Sequence, residues 1–273
     1  MRTLSLPDGG TIPVLGLGTW MMGERKAAAA AELAALKLGL DLGMNLIDTA
    51  EMYGNGGAET IVAEAIAGRR EQIFLVSKVL PQNASRAGTV KACEASLKRL
   101  GTDRLDLYLL HWAGSHPLED TIEGFERLKS AGKILRWGVS NFDLTEIEPL
   151  GATAVASNQV LYNLTRRGIE FDLLPWCRAR SIPVMAYSPI EQGRILGNKA
   201  LVALAKARGC SAAQLALAWV LQQEGVVTIP KASNLAHVRE NRTALDIVLS
   251  EAECAALDKA FPPPEKPTAL AML

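Results

Sequence analysis

The chain has 273 residues, of which 49% are hydrophobic and 21% are charged, so it can bury the core of one large domain. Its 29 Lys and Arg residues balance its 29 Asp and Glu residues, and this zero net charge predicts no general attraction to nucleic acid or to an anionic membrane. No apolar run is long enough to span a bilayer, and residues 1–10 lack the apolar core of a signal peptide.

The cysteines are scattered along the chain, without a C-x-x-C pair or a neighbouring His. They are Cys93, Cys177, Cys210 and Cys254. This spacing favours reduced thiols over disulfides and over a zinc site. We therefore expect a cytoplasmic protein that has no metal centre.

Short apolar runs alternate with longer segments of helical periodicity. After a hairpin that turns at residues 8–10, we predict strands at 12–17, 45–47, 73–76, 105–110, 134–139, 154–157, 183–186 and 226–229. We predict helices at 27–42, 58–67, 122–128, 143–150, 170–180, 199–208, 212–223, 235–243 and 251–259. A further helix is expected between a cap at Ser85 and a stop at Gly101, and Gly132 is expected to end the helix after it.

Strict alternation of strands and helices is typical of a parallel sheet, and about eight such pairs in a chain of this length favour a closed barrel over an open sheet. We therefore predict an α/β fold, a (β/α)8 TIM barrel whose bottom is closed by the N-terminal β-hairpin. The proline-rich tail after Phe261 is expected to be short, irregular and draped over the surface. No shift in composition divides the chain, so we expect a single domain over residues 1–273.

Polar side chains recur where the predicted strands end, which is where barrels of this type carry their chemistry. In chain order they are Asp48, Lys78, His111, Ser140, Asn141, Asn158, Gln159, Tyr187, Ser188, Pro230 and Lys231, and Tyr53 follows Asp48 by five residues. Each one alone fits an ordinary rim or packing residue, and the Asp48–Lys78 pair alone fits a structural ion pair. Their convergence on one face of the barrel indicates a catalytic site.

The same segments resemble the aldo-keto reductases. The resemblance rests on IDTAEMYG at 47–54, VSK at 76–78, LYLLHW at 107–112 and GVSNF at 138–142, with GLGTW at 16–20 and IPK at 229–231. The motifs follow the order of the family and cover nearly the whole chain. Two further segments, GTWMMG at 18–23 and LLPWC at 173–177, look most like the bacterial branch that contains methylglyoxal reductases.

Four residues suit the reduction of a carbonyl group by hydride transfer. The carbonyl oxygen must gain a proton, and Tyr53 is the candidate general acid. The pKa of a free phenol is about 10, which is high for donation at neutral pH. Lys78 is expected to favour the phenolate, Asp48 to hold the Lys78 ammonium, and His111 to donate a hydrogen bond to the carbonyl oxygen. The resemblance implies the same roles for these four positions.

The resemblance also implies a nicotinamide cofactor. Ser140, Asn141 and Gln159 would bond the carboxamide, Tyr187 would stack on the ring, and Ser188 would lie along the pyrophosphate. The other implied cofactor positions are Gly18, Thr19, Trp20, Asp48, Pro189, Ile229, Pro230, Lys231, Ala232, Ser233, His237, Glu240 and Asn241.

The expected cofactor is NADPH, because Lys231 is placed to meet a 2′-phosphate. NADH stays open as an alternative, since Ala232 and His237 stand where the family usually has serine and arginine. A βαβ dinucleotide fold is not favoured, because the third glycine after Gly16 and Gly18 is replaced by Met21.

The expected substrates are small aldehydes, ketones and dicarbonyls such as methylglyoxal, because the loops after His111 and Tyr187 and the tail after Phe261 are short. The predicted substrate pocket is lined by Trp20, Met21, Tyr53, His111 and Trp112. We expect a monomer that acts on a small molecule and not on nucleic acid or a membrane. The alternative is a low-turnover, nucleotide-sensing regulatory subunit on the same barrel, and the intact set of four residues argues against it.

Overall fold

The computed structural model of the chain describes residues 1–151 and 155–273. It begins with a hairpin in which β1 (Thr3–Ser5) pairs antiparallel with β2 (Thr11–Pro13). The turn closes where the Leu6 amide donates to the Gly10 carbonyl at 2.8 Å, and Gly9 takes a φ of 85° there. The predicted hairpin and its turn at 8–10 are confirmed.

An eight-stranded parallel sheet follows, in which each strand pairs with its neighbour in chain order. Its strands are β3 (Gly16–Gly18), β4 (Leu46–Asp48), β5 (Phe74–Val79), β6 (Leu107–Leu110), β7 (Trp137–Ser140), β8 (Asn158–Leu161), β9 (Val184–Tyr187) and β10 (Val226–Thr228). Bridges from Leu15 to Thr228 and from Gly18 to Lys231 join the first strand to the last. The sheet is therefore a barrel, as predicted.

Gly18 has a packing role at the seam where the barrel closes. A Cβ atom at this position would lie 2.4 Å from the carbonyl oxygen of Ile229. A glycine lets the two backbones approach, and the Gly18 amide donates to the Pro230 carbonyl at 3.2 Å. The Gly16–Gly18 pattern therefore belongs to a barrel strand.

Helices cover the outside of the barrel and alternate with its strands. They are α1 (Ala29–Asp41), α2 (Gly57–Ile66), α3 (Arg86–Leu100), α4 (Leu118–Ser130), α5 (Leu144–Ile147), α6 (Leu173–Arg178), α7 (Lys199–Arg208), α8 (Ala212–Gln222), α9 (Leu235–Ala244) and α10 (Glu251–Ala260). The Ser85 hydroxyl accepts a bond from the Gly88 amide, and Gly101 ends α3 with a φ of 62°. Both predicted signals for this helix are confirmed.

Two strand predictions were wrong in ways that affect the site. The predicted strand at 154–157 lies before β8, which runs Asn158–Leu161, and residue 154 lies outside the described residues. The predicted strand at 73–76 extends to Val79 in β5, so Lys78 lies inside a strand. In both cases buried polar side chains occupy strand positions, and they are hydrogen-bonded there to other buried groups. A hydrophobic pattern cannot reveal such positions.

The core has two parts. The inside of the barrel holds strand residues such as Leu46, Leu107 and Met185, and Leu6 and Ile12 from the hairpin pack in the same cluster. The hairpin therefore closes one end of the barrel, as predicted. A larger apolar cluster fills the space between strands and helices.

The C-terminal tail, residues 262–273, has no helix or strand, in agreement with the prediction. Leu270 packs against the core, and a Cβ atom on Gly168 would lie 2.3 Å from the Thr268 hydroxyl oxygen. The tail therefore lies close against the segment after β8. Across the two described ranges, 1–151 and 155–273, no helix combines the length and apolar character that a membrane crossing requires.

Candidate active site

A buried lysine lies at the centre of the site. The Lys78 side chain is 0% exposed, and its ammonium donates to the Asp48 carboxylate at 2.8 Å, to the Thr49 carbonyl at 2.8 Å and to the Tyr53 hydroxyl at 3.1 Å. An ammonium has three N–H donors, and these three oxygens account for them all. Burial lowers the pKa of Lys78, and the charge of Asp48 opposes this effect. The predicted ion pair is present, and the Tyr53 hydroxyl completes it.

Strand register brings the pair together. Asp48 is the last residue of β4, and Lys78 is on the neighbouring strand β5, where Asp48 pairs with Val76. Both side chains point into the carboxyl end of the barrel, and a bond from the Thr19 hydroxyl to the Asp48 carbonyl at 2.9 Å fixes the end of β4. This is the part of a barrel at which the side chains of several strand ends meet.

Tyr53 stands between two rings in the loop that follows β4. Its ring meets Trp20 edge-on at a centroid distance of 5.1 Å and His111 at 5.7 Å. Burial raises the pKa of Tyr53 well above its ordinary value, and the charge of Asp48 raises it further. The expectation that Lys78 favours the phenolate stays a prediction, since the raised pKa comes first from burial and then from the charge of Asp48. The phenol is therefore protonated at neutral pH.

His111 directly follows β6 and is 7% exposed. Burial, with a smaller contribution from the positive charge of Lys78, lowers the pKa of His111 to about 2. The imidazole is therefore neutral, and its Nδ1 atom has no hydrogen-bond partner among the residues that the structure describes. A buried polar atom without a partner is costly, and this one belongs to a ring that contacts the Tyr53 ring.

The predicted carboxamide ligands form a chain of contacts. The Ser140 hydroxyl donates to the Gln159 carbonyl at 2.9 Å, and the Tyr187 hydroxyl donates to Asn141 Oδ1 at 3.0 Å. Asn141 Nδ2 donates to the His111 carbonyl at 3.1 Å. Asn141 also has a φ of 59°, a left-handed backbone that a bulky residue rarely adopts. The structure therefore brings these side chains together beside His111.

Gln159 makes a contact that the sequence did not predict. Its Nε2 atom donates to Asp48 Oδ1 at 2.7 Å, and it also lies 2.9 Å from the sulfur of Met185. Gln159 is buried near the start of β8, so its side chain crosses the inside of the barrel to reach β4. One side chain thus links the predicted cofactor ligands to the predicted catalytic residues.

The rim of the site is apolar. Trp20 is 42% exposed and Met21 is 54% exposed, and Met21 has a φ of 63°. The half-buried Trp112 lies beside His111, with ring centroids 4.8 Å apart. Large exposed apolar side chains around a buried polar centre are typical of a ligand-binding opening. Of the five predicted substrate residues, Trp20, Tyr53, His111 and Trp112 therefore form a row of ring contacts, and the exposed Met21 follows Trp20 in the chain.

The remaining predicted cofactor positions follow β10 and β9. Lys231 is exposed and donates to the Ser233 hydroxyl at 3.3 Å, and His237 is exposed in the first turn of α9. Further along the same segment Asn241 is buried and Glu240 is half-buried. Ile229, Pro230 and Pro189 are buried, so they can shape the site but offer no charge.

The sequence interpretation missed Asn163 and Glu191 as residues near the site. Asn163 is fully buried two residues after β8, and Glu191 is 4% exposed in the segment after β9. Asn163 Nδ2 donates to Glu191 Oε2 at 2.8 Å and to the Ser188 carbonyl at 2.9 Å. Their positions just after strand ends were the signal available in the sequence.

Comparison with known proteins identifies the fold and the family. Residues 14–261 match the aldo/keto reductase family. The chain is 53% identical over 272 residues to methylglyoxal reductase YeaE of Escherichia coli, and the alignment covers 96% of each chain. It is 36% identical over 259 residues to glyoxal reductase of Bacillus subtilis, covering 94% of this chain and 91% of that protein.

Solved structures agree with this assignment. An aldo/keto reductase of Klebsiella pneumoniae in complex with NADP and acetate superposes with a TM-score of 0.96 at 49% identity, and covers 100% of this chain and 99% of its own. An aldo-keto reductase of the same organism in complex with NADPH superposes with the same TM-score at 50% identity and the same coverage. The chain therefore belongs to the aldo/keto reductase family.

Proposed function

We propose that this chain reduces small aldehydes, ketones and dicarbonyls, such as methylglyoxal, to alcohols with NADPH. The observation that carries the proposal is the contact of the Tyr53 hydroxyl with the Lys78 ammonium, which Asp48 holds in turn, beside a neutral His111. The relatives named as methylglyoxal reductase and glyoxal reductase support this choice of substrate.

The donor set of the site fits a nicotinamide dinucleotide. Asn141 and Ser140 offer the amide and hydroxyl groups that a carboxamide can bond, and the Tyr187 ring stands beside them. Lys231 supplies an exposed cation for a 2′-phosphate, with Ser233 beside it. When bound, the cofactor supplies the hydride that reduces the carbonyl carbon. The relatives that hold NADP or NADPH in their crystals support this assignment.

Tyr53 would act as the general acid. Its raised pKa keeps the phenol protonated at neutral pH, and it would give that proton to the carbonyl oxygen of the substrate as negative charge develops there. As the proton leaves, the phenolate oxygen keeps the Lys78 ammonium as its donor at 3.1 Å, and this contact stabilises the charge that develops. Asp48 keeps the ammonium in place.

His111 would orient the substrate. A neutral imidazole can donate one N–H to the carbonyl oxygen without bringing a second positive charge beside Lys78. The pKa of about 2 makes this neutral form the only one populated in the physiological range. His111 and Tyr53 would then approach the same oxygen from two sides, since their rings lie 5.7 Å apart.

A small substrate fits the opening best. The loop between His111 and α4, which begins at Leu118, is short and leaves the rim to Trp20, Met21 and Trp112. We also propose that the chain works as a single domain over 1–273 and as a monomer in the cytoplasm. The proposed catalytic groups contact one another within a single chain, so the proposed chemistry requires no residue from a second copy.

The test compares cofactors and substrates in one assay. Initial rates of NADPH and NADH oxidation are measured with methylglyoxal and with a bulky steroid ketone, and NADPH binding is followed by fluorescence. We expect methylglyoxal with NADPH to give the largest kcat/KM. A larger kcat/KM for the bulky ketone would contradict the small-substrate assignment. NADPH binding without turnover of any carbonyl would instead favour the nucleotide-sensing subunit.

A further inference from the structure

The segment after β9 holds an unusual backbone. Ser188, Glu191 and Gln192 have φ values of 47°, 51° and 55°, and the next residue, Gly193, has a φ of 88°. Non-glycine residues in this left-handed region each cost free energy and persist only where the surroundings hold them. Three of them in five positions therefore require strong contacts from outside the segment.

Asn163 supplies the first of these contacts. It is 0% exposed, and its Nδ2 atom donates to the Ser188 carbonyl at 2.9 Å and to Glu191 Oε2 at 2.8 Å. Its Oδ1 atom accepts the Thr165 amide at 2.9 Å and the Thr165 hydroxyl at 2.8 Å. Both donors and the acceptor of this amide are used, so its orientation is fixed.

Glu191 supplies the second set of contacts that hold the Ser188 segment. Its Oε1 atom accepts two bonds from Arg166, at 2.9 Å and 3.1 Å, and one from Arg194 at 3.1 Å, while its own amide donates to the Ser188 carbonyl at 2.9 Å. Burial raises the pKa of this carboxyl, but the bonds from Arg166, Asn163 and Arg194 outweigh burial and lower it. Glu191 is therefore a buried, charged anchor.

The charge around this anchor favours an anion. Two guanidinium groups share one carboxylate, which leaves a net positive charge next to Ser188. The Arg166 and Arg194 side chains are 42% and 54% exposed, so this charge faces the solvent side. Ser188 directly follows Tyr187, whose hydroxyl bonds Asn141 in the candidate active site. The net positive charge of this segment would attract an anionic group of a ligand in that site.

We propose that Asn163 and Glu191 are positioning residues that hold the Ser188 segment in the backbone conformation which receives the pyrophosphate of the dinucleotide. The inference rests on the proposed function, because it requires NADPH as the ligand. Neither residue touches the reacting atoms. Their effect is therefore expected on cofactor affinity and not on the chemical step.

The test is the variant Glu191→Ala in the full chain, which removes the anchor but keeps the arginines. We expect the Kd for NADPH, measured by fluorescence titration, to rise about tenfold or more, because several charge-assisted bonds are lost. The kcat with methylglyoxal at saturating NADPH should stay within about threefold of the parent value. The Kd for adenosine 2′,5′-bisphosphate, which has no pyrophosphate, should stay within about twofold.

Two further variants separate positioning from folding. Glu191→Gln keeps an acceptor for Asn163 but loses the charge, so its Kd for NADPH should lie between those of the parent and Glu191→Ala. Asp106→Ala is the matched control, because Asp106 also accepts a charge-assisted bond from an arginine, Arg70, at 2.8 Å, but it directly precedes β6, at the end of the barrel opposite the candidate site. Its Kd for NADPH should stay within about twofold of the parent. Thermal unfolding of each variant shows that it is folded.

Three results would overturn the proposal. They are an unchanged Kd for NADPH in Glu191→Ala, an equal loss of affinity for NADPH and for adenosine 2′,5′-bisphosphate, and an equal loss in Asp106→Ala. Failure of the proposed function looks different, because the parent chain would then neither bind nor oxidise NADPH. A parent that uses NADPH beside an unaffected Glu191→Ala variant rejects the positioning role alone.

Discussion

Gln159 Nε2 lies 2.7 Å from Asp48 Oδ1, in a bond that crosses the barrel from β8 to β4. Asp48 therefore receives the Gln159 amide on Oδ1, while the Lys78 ammonium lies 2.8 Å from both Oδ1 and Oδ2. Two donors from different strands fix the plane of the carboxylate and hence the position of the lysine. The role of Gln159 toward a carboxamide stays a prediction, and its bond to Asp48 adds a second task.

The first prediction concerns Gln159→Glu. The new carboxyl would stand beside Asp48, and this like charge raises the pKa of the introduced group. Protonated, it can donate to Asp48 as Gln159 does, and ionised, it repels Asp48. We therefore expect kcat of this variant to rise relative to the parent as pH falls from about 8 to about 5. The measurement is the pH profile of kcat with methylglyoxal for the Gln159→Glu variant and the parent.

Gln159→Leu is the control for that profile. It loses the bond to Asp48 but introduces no titrating group, so its kcat relative to the parent should not depend on pH. Parallel profiles for the Glu and Leu variants would show that the contact with Asp48 does not matter for turnover.

The second prediction separates stability from catalysis in the Asp48–Lys78 pair. Lys78→Met leaves the charge of Asp48 buried without its ion-pair partner, and we expect the free energy of unfolding to fall by about 3 to 5 kcal/mol. Adding Asp48→Asn removes that charge and should recover part of the loss, while kcat stays down by about a thousandfold in both variants. Chemical denaturation and NADPH oxidation are the two measurements. Recovery of activity together with stability would mean that the pair is only structural.

Local signals in the sequence were sufficient to predict most of the fold. Ser85 and Gly101 bound α3 as predicted, because a cap and a left-handed stop depend on a few neighbouring residues. The alternation of strands and helices was sufficient for the barrel. The predicted strand bounds were less accurate near Lys78 and Gln159. Both are polar residues that are buried because they bond Asp48, and a hydrophobic pattern does not include such residues in a strand.

The Asn163–Glu191 contact shows what the sequence could not supply. The two residues are 28 positions apart, and the contact depends on a left-handed backbone at Ser188 and Glu191 that contains no glycine at either position. Turn prediction relies on glycine and asparagine for such a backbone, so it gave no signal here. The raised pKa of Tyr53 could not be predicted from the sequence either, since it depends on burial and on the charge of Asp48 in the folded chain.

The third prediction concerns the stability of the fold in acid. The pKa of His111 falls from its ordinary 6.5 to about 2 in the folded chain, so below pH 6.5 the unfolded chain binds a proton that the folded chain does not. The free energy of unfolding must then decline as pH falls through that window. His111→Gln has no such group, and between about pH 7 and about pH 4.5 it should lose roughly 2 to 3 kcal/mol less than the parent.

Denaturant titrations of parent and His111→Gln at several pH values give this difference directly. Because all other titrating groups are shared, the difference between the two curves isolates His111. Parallel curves would mean that the folded chain binds the His111 proton near pH 6.5, as the unfolded chain does. The lowered pKa of His111 would then be wrong, and its neutral form would not be the only one present near neutral pH.

The fourth prediction concerns cofactor preference. Lys231 is exposed, and a 2′-phosphate is the group that separates NADPH from NADH. Lys231→Ala should therefore raise the KM for NADPH about tenfold and leave the KM for NADH within about twofold. His237→Arg, which adds a fixed charge in the first turn of α9, should shift preference further toward NADPH. If Lys231→Ala changed the KM for NADPH and the KM for NADH equally, Lys231 would not be the residue that meets the 2′-phosphate.

The account depends most on Tyr53 as the proton donor, and Tyr53→Phe tests it most directly. The variant keeps the ring between Trp20 and His111 and loses only the hydroxyl that contacts Lys78. The measurement is NADPH oxidation with methylglyoxal by parent and variant, beside NADPH binding by fluorescence. We predict that kcat falls by about a hundredfold to ten-thousandfold while the Kd for NADPH stays within about twofold. A variant that turns over at the parent rate would contradict the assignment of Tyr53 as the acid.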